Sequence, residues 1–380
     1  MLKYLDQIVG QPKVVKLLSN FLNSDKIPHA FLFTGENGLG KEHAALCFSK
    51  ELNSTYNSED VISQISNLAE PFVKYIFPLP RGKNENNDSS PYEKLNSDEM
   101  NLVKDELQKK IINPYYKISI PKANLIKVNS IRDLRKFISM SYSDINYRTV
   151  IISDAHLMNE ESQNALLKNL EEPPSGVIFI LITSKPDMLR ETIKSRCWEI
   201  KFNYLKNEDI ISILTKYFNY SKVQAENYAA FSLGSINEFL FIEGIDFEDV
   251  LNRTIVILRF ALGRKFHSAI DEINKMVANE IESFKLLLFL ILRWFNDLQK
   301  FKVKKEITFF VNHKETFQKF LTKFPEIKYL KIVTKIENLI SLCSKNINLN
   351  ILISDLVVEL GKFTVETGIR TDKSPQKIRG

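Results

Sequence analysis

Cysteine is scarce in this chain. Only Cys47, Cys197 and Cys343 occur among 380 residues, widely separated and in no Cys-x-x-Cys pair. Neither a disulfide framework nor a zinc site can be drawn from them, and they read as reduced, mostly buried thiols. Long apolar runs are missing too. The longest, Leu286 to Leu292, stops at Arg293 and falls far short of the ~20 residues a membrane span requires. The opening residues, Met1 to Asp6, have neither the apolar core nor the small-residue cleavage site of a signal peptide. These absences argue against a disulfide-stapled secreted scaffold and a membrane partner, and predict a cytoplasmic protein. The net charge of +6 suits an anionic partner but equally fits a lysine-rich solvated surface.

What is present is length and pattern. A chain of 380 residues can hold two or three domains, each with its own core. Ala165, Leu166, Leu167 and Leu170 recur at helical spacing and are followed by Pro173 and Pro174, which stop the helix. An apolar strand ending at Asp154 precedes this helix and a second apolar strand, Val177 to Thr183, follows it. Further strands are expected at Ala30 to Phe33, Lys74 to Phe77 and Thr149 to Ser153, giving a parallel sheet wrapped by helices. Between them, Arg81 to Ser97 is rich in Asn, Asp, Ser and Lys and offers almost nothing to bury, so it reads as a mobile insertion. After Phe202 the pattern turns helical. Three short segments lie between 207 and 243. Longer helices follow at Val250 to Leu262, Phe266 to Val277, Ile281 to Phe301, Lys314 to Phe324, Ile327 to Ser344 and Asn348 to Phe363.

Gly35-Glu36-Asn37-Gly38-Leu39-Gly40-Lys41 matches a phosphate loop up to its lysine. Glycines let such a backbone turn tightly and aim its N–H groups at phosphate oxygens, and the lysine reaches the β and γ oxygens. The next residue should carry a hydroxyl for magnesium; here it is Glu42. A carboxylate beside a polyanion at about 4 Å costs on the order of 4 kcal/mol at an effective dielectric near 20. Tight binding of magnesium nucleotide is therefore not expected, although passive ATP or ADP binding stays open.

Three blocks in order, Gly10-Gln11 through Ile27 to Gly35, Gln163 to Pro174, and Ser195-Arg196-Cys197, resemble the clamp-loader family of AAA+ proteins. The resemblance spans roughly residues 5 to 203 and is weakest between 54 and 120. It implies an α/β P-loop AAA+ module of RecA-like type over 1–203 with an insertion near 81–120. A small helical lid would follow over 204–246, then an all-helical collar over 247–368 that holds subunits in a ring, and a flexible basic tail over 369–380. Family members often carry a four-cysteine zinc module in the first domain. This chain has no cysteine from 48 to 196, so no metal is expected.

The resemblance also assigns site residues. Gly35, Gly38, Gly40, Lys41, Asp154 and Thr183 stand at nucleotide-binding positions. Ser195, Arg196 and Cys197 form the motif whose arginine acts on the ATP of a neighbouring subunit. Three positions depart from a working ATPase of the family: Glu42 for the magnesium hydroxyl, Ala155 for the acid that positions water, and Asn237 for the lid arginine. His156 is the one substitute base to consider, and a histidine at a strand end is more often a surface or packing residue. The combination implies a subunit that hydrolyses nothing, needs no cofactor and supplies Arg196 in trans. Its partners would be the delta-type and gamma- or tau-type subunits of a hetero-pentameric ring, the sliding clamp and primer-template DNA. The competing readings are an active gamma- or tau-type ATPase, a DNA-binding scaffold of the replisome, an AAA+ helicase or protease-type remodeller, which would hydrolyse ATP itself, and an Arg196 that merely pairs with Glu199 or another acid.

Overall fold

The structure, a computed structural model, describes residues 3–366 apart from 25, 55–58, 87–88, 140–144, 233, 238–245, 279, 325–328 and 344–346. The expected tail and part of the expected lid, including Leu233 and Glu238, lie outside the described residues. The chain divides into two compact units, Met1–Glu243 and Gly244–Gly380.

The first unit is built on five parallel strands, β1 (Ala30–Thr34), β2 (Val73–Ile76), β3 (Arg148–Ile152), β4 (Val177–Thr183) and β5 (Trp198–Lys201), in the order β2-β3-β4-β1-β5. Every residue of the first four is buried, as expected of parallel strands covered on both faces. The period-two alternation sorts them. Phe31 and Phe33 of β1, with Ile178, Ile180 and Ile182 of β4, enter one core, while Ala30, Leu32, Phe179 and Leu181 enter the other. Burying one such phenylalanine stabilises by about 1.5–3 kcal/mol. The expected strands at 74–77 and 149–153 each begin one residue earlier, and β5 was not anticipated.

The flanking helices are α1 (Pro12–Leu22), α2 (Lys41–Leu52), α3 (Glu59–Ser66), α4 (Ser97–Ile112), α5 (Val128–Arg132), α6 (Leu134–Ser139), α7 (Glu160–Glu171) and α8 (Glu191–Lys194). Helix α7 carries the 163–170 pattern. It is capped by the Asn159 side chain, which accepts from the Ser162 N–H at 2.9 Å, and it stops before the two prolines. Helices α9 (Asn207–Tyr217) and α10 (Lys222–Phe231) form a small separate core with Ile210, Ile213, Leu214, Ala225 and Ile236.

The described part of 81–97 corrects the expectation of an unpacked insertion. Glu85 takes an ion pair from Lys127 at 2.8 Å and a hydrogen bond from the Asn129 amide at 2.6 Å, and Tyr92 and Leu95 pack against the first core. The composition is polar because its anchoring is polar. Helix α4 then begins with a capping box between Asn96 and Glu99.

The second unit is helical: Phe247–Leu262, Phe266–Val277, Ile281–Lys302, Lys314–Lys323, Tyr329–Cys343 and Leu349–Glu366. Trp294, Phe295, Phe310 and Phe317 are buried at its centre. Asp297, also buried, accepts the backbone N–H groups of Thr308, Phe309 and Phe310 at 2.7–3.2 Å and so fixes the loop after the long helix. No helix among the described residues is long and apolar enough to cross a membrane.

Candidate functional site

The loop Gly35–Gly40 runs from the end of β1 to the first residue of α2, Lys41. Gly38 and Gly40 take φ of +73° and +83°, where a side chain is strained. Both glycines are also crowded. A Cβ on Gly38 would lie 2.2 Å from the Asn237 nitrogen, and one on Gly40 would lie 3.1 Å from the Tyr115 ring. The lid residues thus rest on the loop: Ser235 donates to the Asn37 carbonyl at 2.8 Å, and the Ile236 N–H donates to the Gly38 carbonyl at 3.0 Å. Gln11 secures the loop from behind, its amide donating to Leu39 and Asn203 carbonyls while its oxygen accepts the Asn203 N–H.

Lys41 is folded onto its own loop. Its ammonium donates to the Gly35 carbonyl at 2.6 Å and to the Glu36 carbonyl. Burial pulls its pKa down to about 8, with Glu42 and Asp154 pushing the other way. Glu42 does not present a bare charge to the loop, contrary to the expectation. One carboxylate oxygen receives the Ser153 hydroxyl, and the other is paired with Lys110 of α4. Burial raises the Glu42 pKa, and the Lys110 ammonium overrides it, leaving the carboxyl below its usual range.

Lys110 is only 2% exposed and also donates to the carbonyls of Pro114 and Tyr116 at 2.8 and 2.6 Å. Its helix is held to this turn by Glu106, which accepts from the Tyr116 hydroxyl at 2.8 Å and from the Ser119 N–H at 2.8 Å. The same turn sends Lys117 to Asp154 at 3.5 Å. Asp154 itself has φ of +48°. What remains over the loop is a cavity of about 50 Å³ bordered by Gly38, Lys41, Lys110, Tyr115, Lys117 and Asp154. Pockets for drug-sized ligands run to about 300–1,000 Å³.

The other sequence-derived residues fall into two groups. Thr183, fully buried, shares a 3.1 Å hydrogen bond with Nδ1 of His156 and accepts the Lys185 N–H at 3.0 Å. Burial lowers the His156 pKa against the pull of Asp154, and the ring serves as a hydrogen-bond partner of Thr183. Ala155 is fully buried and brings no acid. Ser195, Arg196 and Cys197 follow α8 and do not border the loop cavity. Arg196 donates to the Thr192 carbonyl at 2.9 Å and pairs with Glu171 at 2.9 Å, not with Glu199, which accepts the Thr34 hydroxyl instead. Ser195 donates to Thr192 at 3.3 Å, and the half-buried Cys197 thiol is pushed up to about 12 by burial.

Sequence reading missed Lys110, Tyr115 and Lys117. Nothing in a Lys-Lys pair on a helix or a Pro-Tyr-Tyr-Lys turn announces a position over a phosphate loop. No group of three or more His, Cys, Asp or Glu among the described residues is arranged to hold a metal ion.

A five-stranded parallel sheet with a glycine loop between β1 and α2, an acid after β3 and a helical lid defines a P-loop α/β protein. The chain belongs to the DNA polymerase III clamp-loader family: residues 10–206 match the family described as DNA polymerase III, delta subunit. It is 28% identical to DNA polymerase III subunit tau of Bacillus subtilis over 297 residues, 74% of this chain and 46% of that protein. It is 31% identical to the gamma subunit of Buchnera aphidicola (from Schizaphis graminum) over 208 residues, 55% of this chain and 47% of that protein. The chain spans about half the length of these curated relatives. Among solved structures, a gamma subunit-related protein of Thermotoga maritima aligns over 92% of this chain and 99% of its own, with a TM-score of 0.41 and 14% identity.

Proposed function

We propose that this chain is the delta-prime subunit of a bacterial clamp loader: a member that hydrolyses no ATP itself, offers Arg196 to the nucleotide of an adjacent subunit and helps place the sliding clamp on primed DNA. Its partners are the delta and gamma or tau subunits of a hetero-pentameric ring, the clamp and primer-template DNA, in the cytoplasm. The observation that carries the reading is the occupied loop. Lys41 is spent on the carbonyls of Gly35 and Glu36, and Glu42 is paired with Lys110. A loop in that state positions neither a γ-phosphate nor a metal, and Ala155 supplies no base.

Arg196 supports the second half of the reading. Its side chain is 36% exposed and, among the described residues, is held by Glu171 and the Thr192 carbonyl, so a stronger anion from a neighbour can claim it. A guanidinium suits that task through its permanent charge and planar fork of donors. The polymerase activity of the holoenzyme belongs to another chain. The similarity to proteins named tau and gamma favours a second reading, an active ATPase; Glu42, Ala155 and Asn237 oppose it.

The test is hydrolysis by the purified chain, alone and mixed with a gamma- or tau-type partner. Alone, with or without primed DNA and clamp, it should give background rates, and with the partner the rate should exceed that of the partner alone. Robust turnover by the chain alone that vanishes in Lys41→Ala would overturn the reading.

A further inference from the structure

The nucleotide implied by the fold does not fit this loop, and the residues that exclude it come from one segment. We propose that residues 97–120 are a built-in occupant of the phosphate loop, in which the Lys110 ammonium takes the place of a divalent cation and Tyr115 closes the glycine cradle. Position 42 is where a phosphate loop carries its metal-ligating hydroxyl. Here that position holds a carboxylate, and the charge it faces is Lys110, which is also held by the carbonyls of Pro114 and Tyr116 at 2.8 and 2.6 Å. Three oxygen partners from protein surround one buried cation.

The rest of the segment fills the space that phosphates would need. Tyr115 lies over Gly40, the residue from which α2 springs, with its ring within 3.1 Å of a built Cβ. Lys117 faces Asp154, the acid expected to direct a metal. Glu106 keeps the segment folded by accepting from Tyr116 and Ser119. The segment is thus tied to itself and to the loop, and the residual cavity is about 50 Å³. A buried cation facing a carboxylate is favourable only as a pair, because either charge alone in that position is uncompensated. Glu42 and Lys110 are therefore two halves of one device, and Glu42 is the group that makes an internal lysine an acceptable occupant. The inference rests on this geometry and is independent of where Arg196 acts.

Two measurements on the full chain decide it. Titration of the wild type with mant-ADP and Mg²⁺, followed by fluorescence, should give no saturable binding. Thermal unfolding of Glu42→Gln, Lys110→Met and the double variant should then show coupling: Lys110→Met lowers the melting temperature, and adding Glu42→Gln restores most of the loss. Saturable micromolar binding of Mg²⁺ mant-ADP to the wild type would overturn the proposal, and so would additive losses in the two variants. Binding without hydrolysis would sink this inference while leaving the role of Arg196 standing.

Discussion

Arg196 and Glu171 form an ion pair at 2.9 Å that joins the arginine motif after α8 to the last residue of α7. Both side chains are substantially exposed, at 36% and 48%. Exposed pairs contribute about 0–1 kcal/mol. Glu171→Gln and Arg196→Ala should therefore each leave the unfolding free energy from urea titration within about 1 kcal/mol of wild type. A loss well beyond that would make Arg196 a structural anchor.

A pH dependence follows from His43. Its ring lies between Tyr115 and Tyr217, with Nε2 3.2 Å from the Gln7 carbonyl and 3.3 Å from the Tyr217 hydroxyl. Burial lowers its pKa from 6.5 to about 4, and the Gln7 carbonyl offsets only part of this. Between those values the unfolded chain binds the extra proton, so stability present above the unfolded value is lost as pH falls towards the folded one. The expected loss from pH 7 to pH 5 is about 2 kcal/mol from this group. Denaturation of His43→Phe at both pH values should show a correspondingly flatter dependence, and an unchanged one would contradict the neutral buried imidazole.

Gly38→Ala tests the seat of the lid. The alanine methyl would meet the Asn237 backbone nitrogen at 2.2 Å while the residue keeps φ of +73°. Strain and overpacking each cost roughly 1–3 kcal/mol. A melting temperature equal to wild type would mean that the lid does not sit on the loop.

Elemental analysis of protein purified without chelator should find well under one zinc per chain, since Cys47, Cys197 and Cys343 lie apart and no described acid or histidine cluster is suited to a metal. Stoichiometric zinc would contradict the expectation of a chain without a structural metal.

The sheet was legible where burial made it so. Strands β1 to β4 are apolar along their length because both faces are covered, and each was placed within a residue. Strand β5 was not placed: only Ile200 is buried in it, while Trp198, Glu199 and Lys201 are exposed, so it has no apolar run. Gly35, Gly38, Gly40 and Lys41 stand out in the sequence because a phosphate loop needs glycines and a lysine at fixed spacing, and Asp154 stands out through the family resemblance; the structure gathers Gly38, Gly40, Lys41 and Asp154 around one cavity. Glu42 was read as a repulsive charge because its counter-ion was invisible. Lys110 and Lys117 belong to a helix and turn beyond β2, and a lysine reads by default as surface. Only the fold brings them to the loop. The same limit hid the partner of Arg196: Glu199 is near in sequence, while Glu171 is near in space.

Arg196, proposed to work on a neighbour's nucleotide, is put to the test by ATP hydrolysis in a reconstituted loader carrying Arg196→Ala. The variant should fold and join the ring, while hydrolysis and clamp loading on primed DNA fall. Such an arginine contributes about 10³ to 10⁵ in rate at its own site. Because the other sites of the ring keep theirs, total hydrolysis should fall modestly and clamp loading more. An assembled variant ring that hydrolyses ATP and loads clamps at the wild-type rate would contradict the account and leave Arg196 as the ion-pair partner of Glu171.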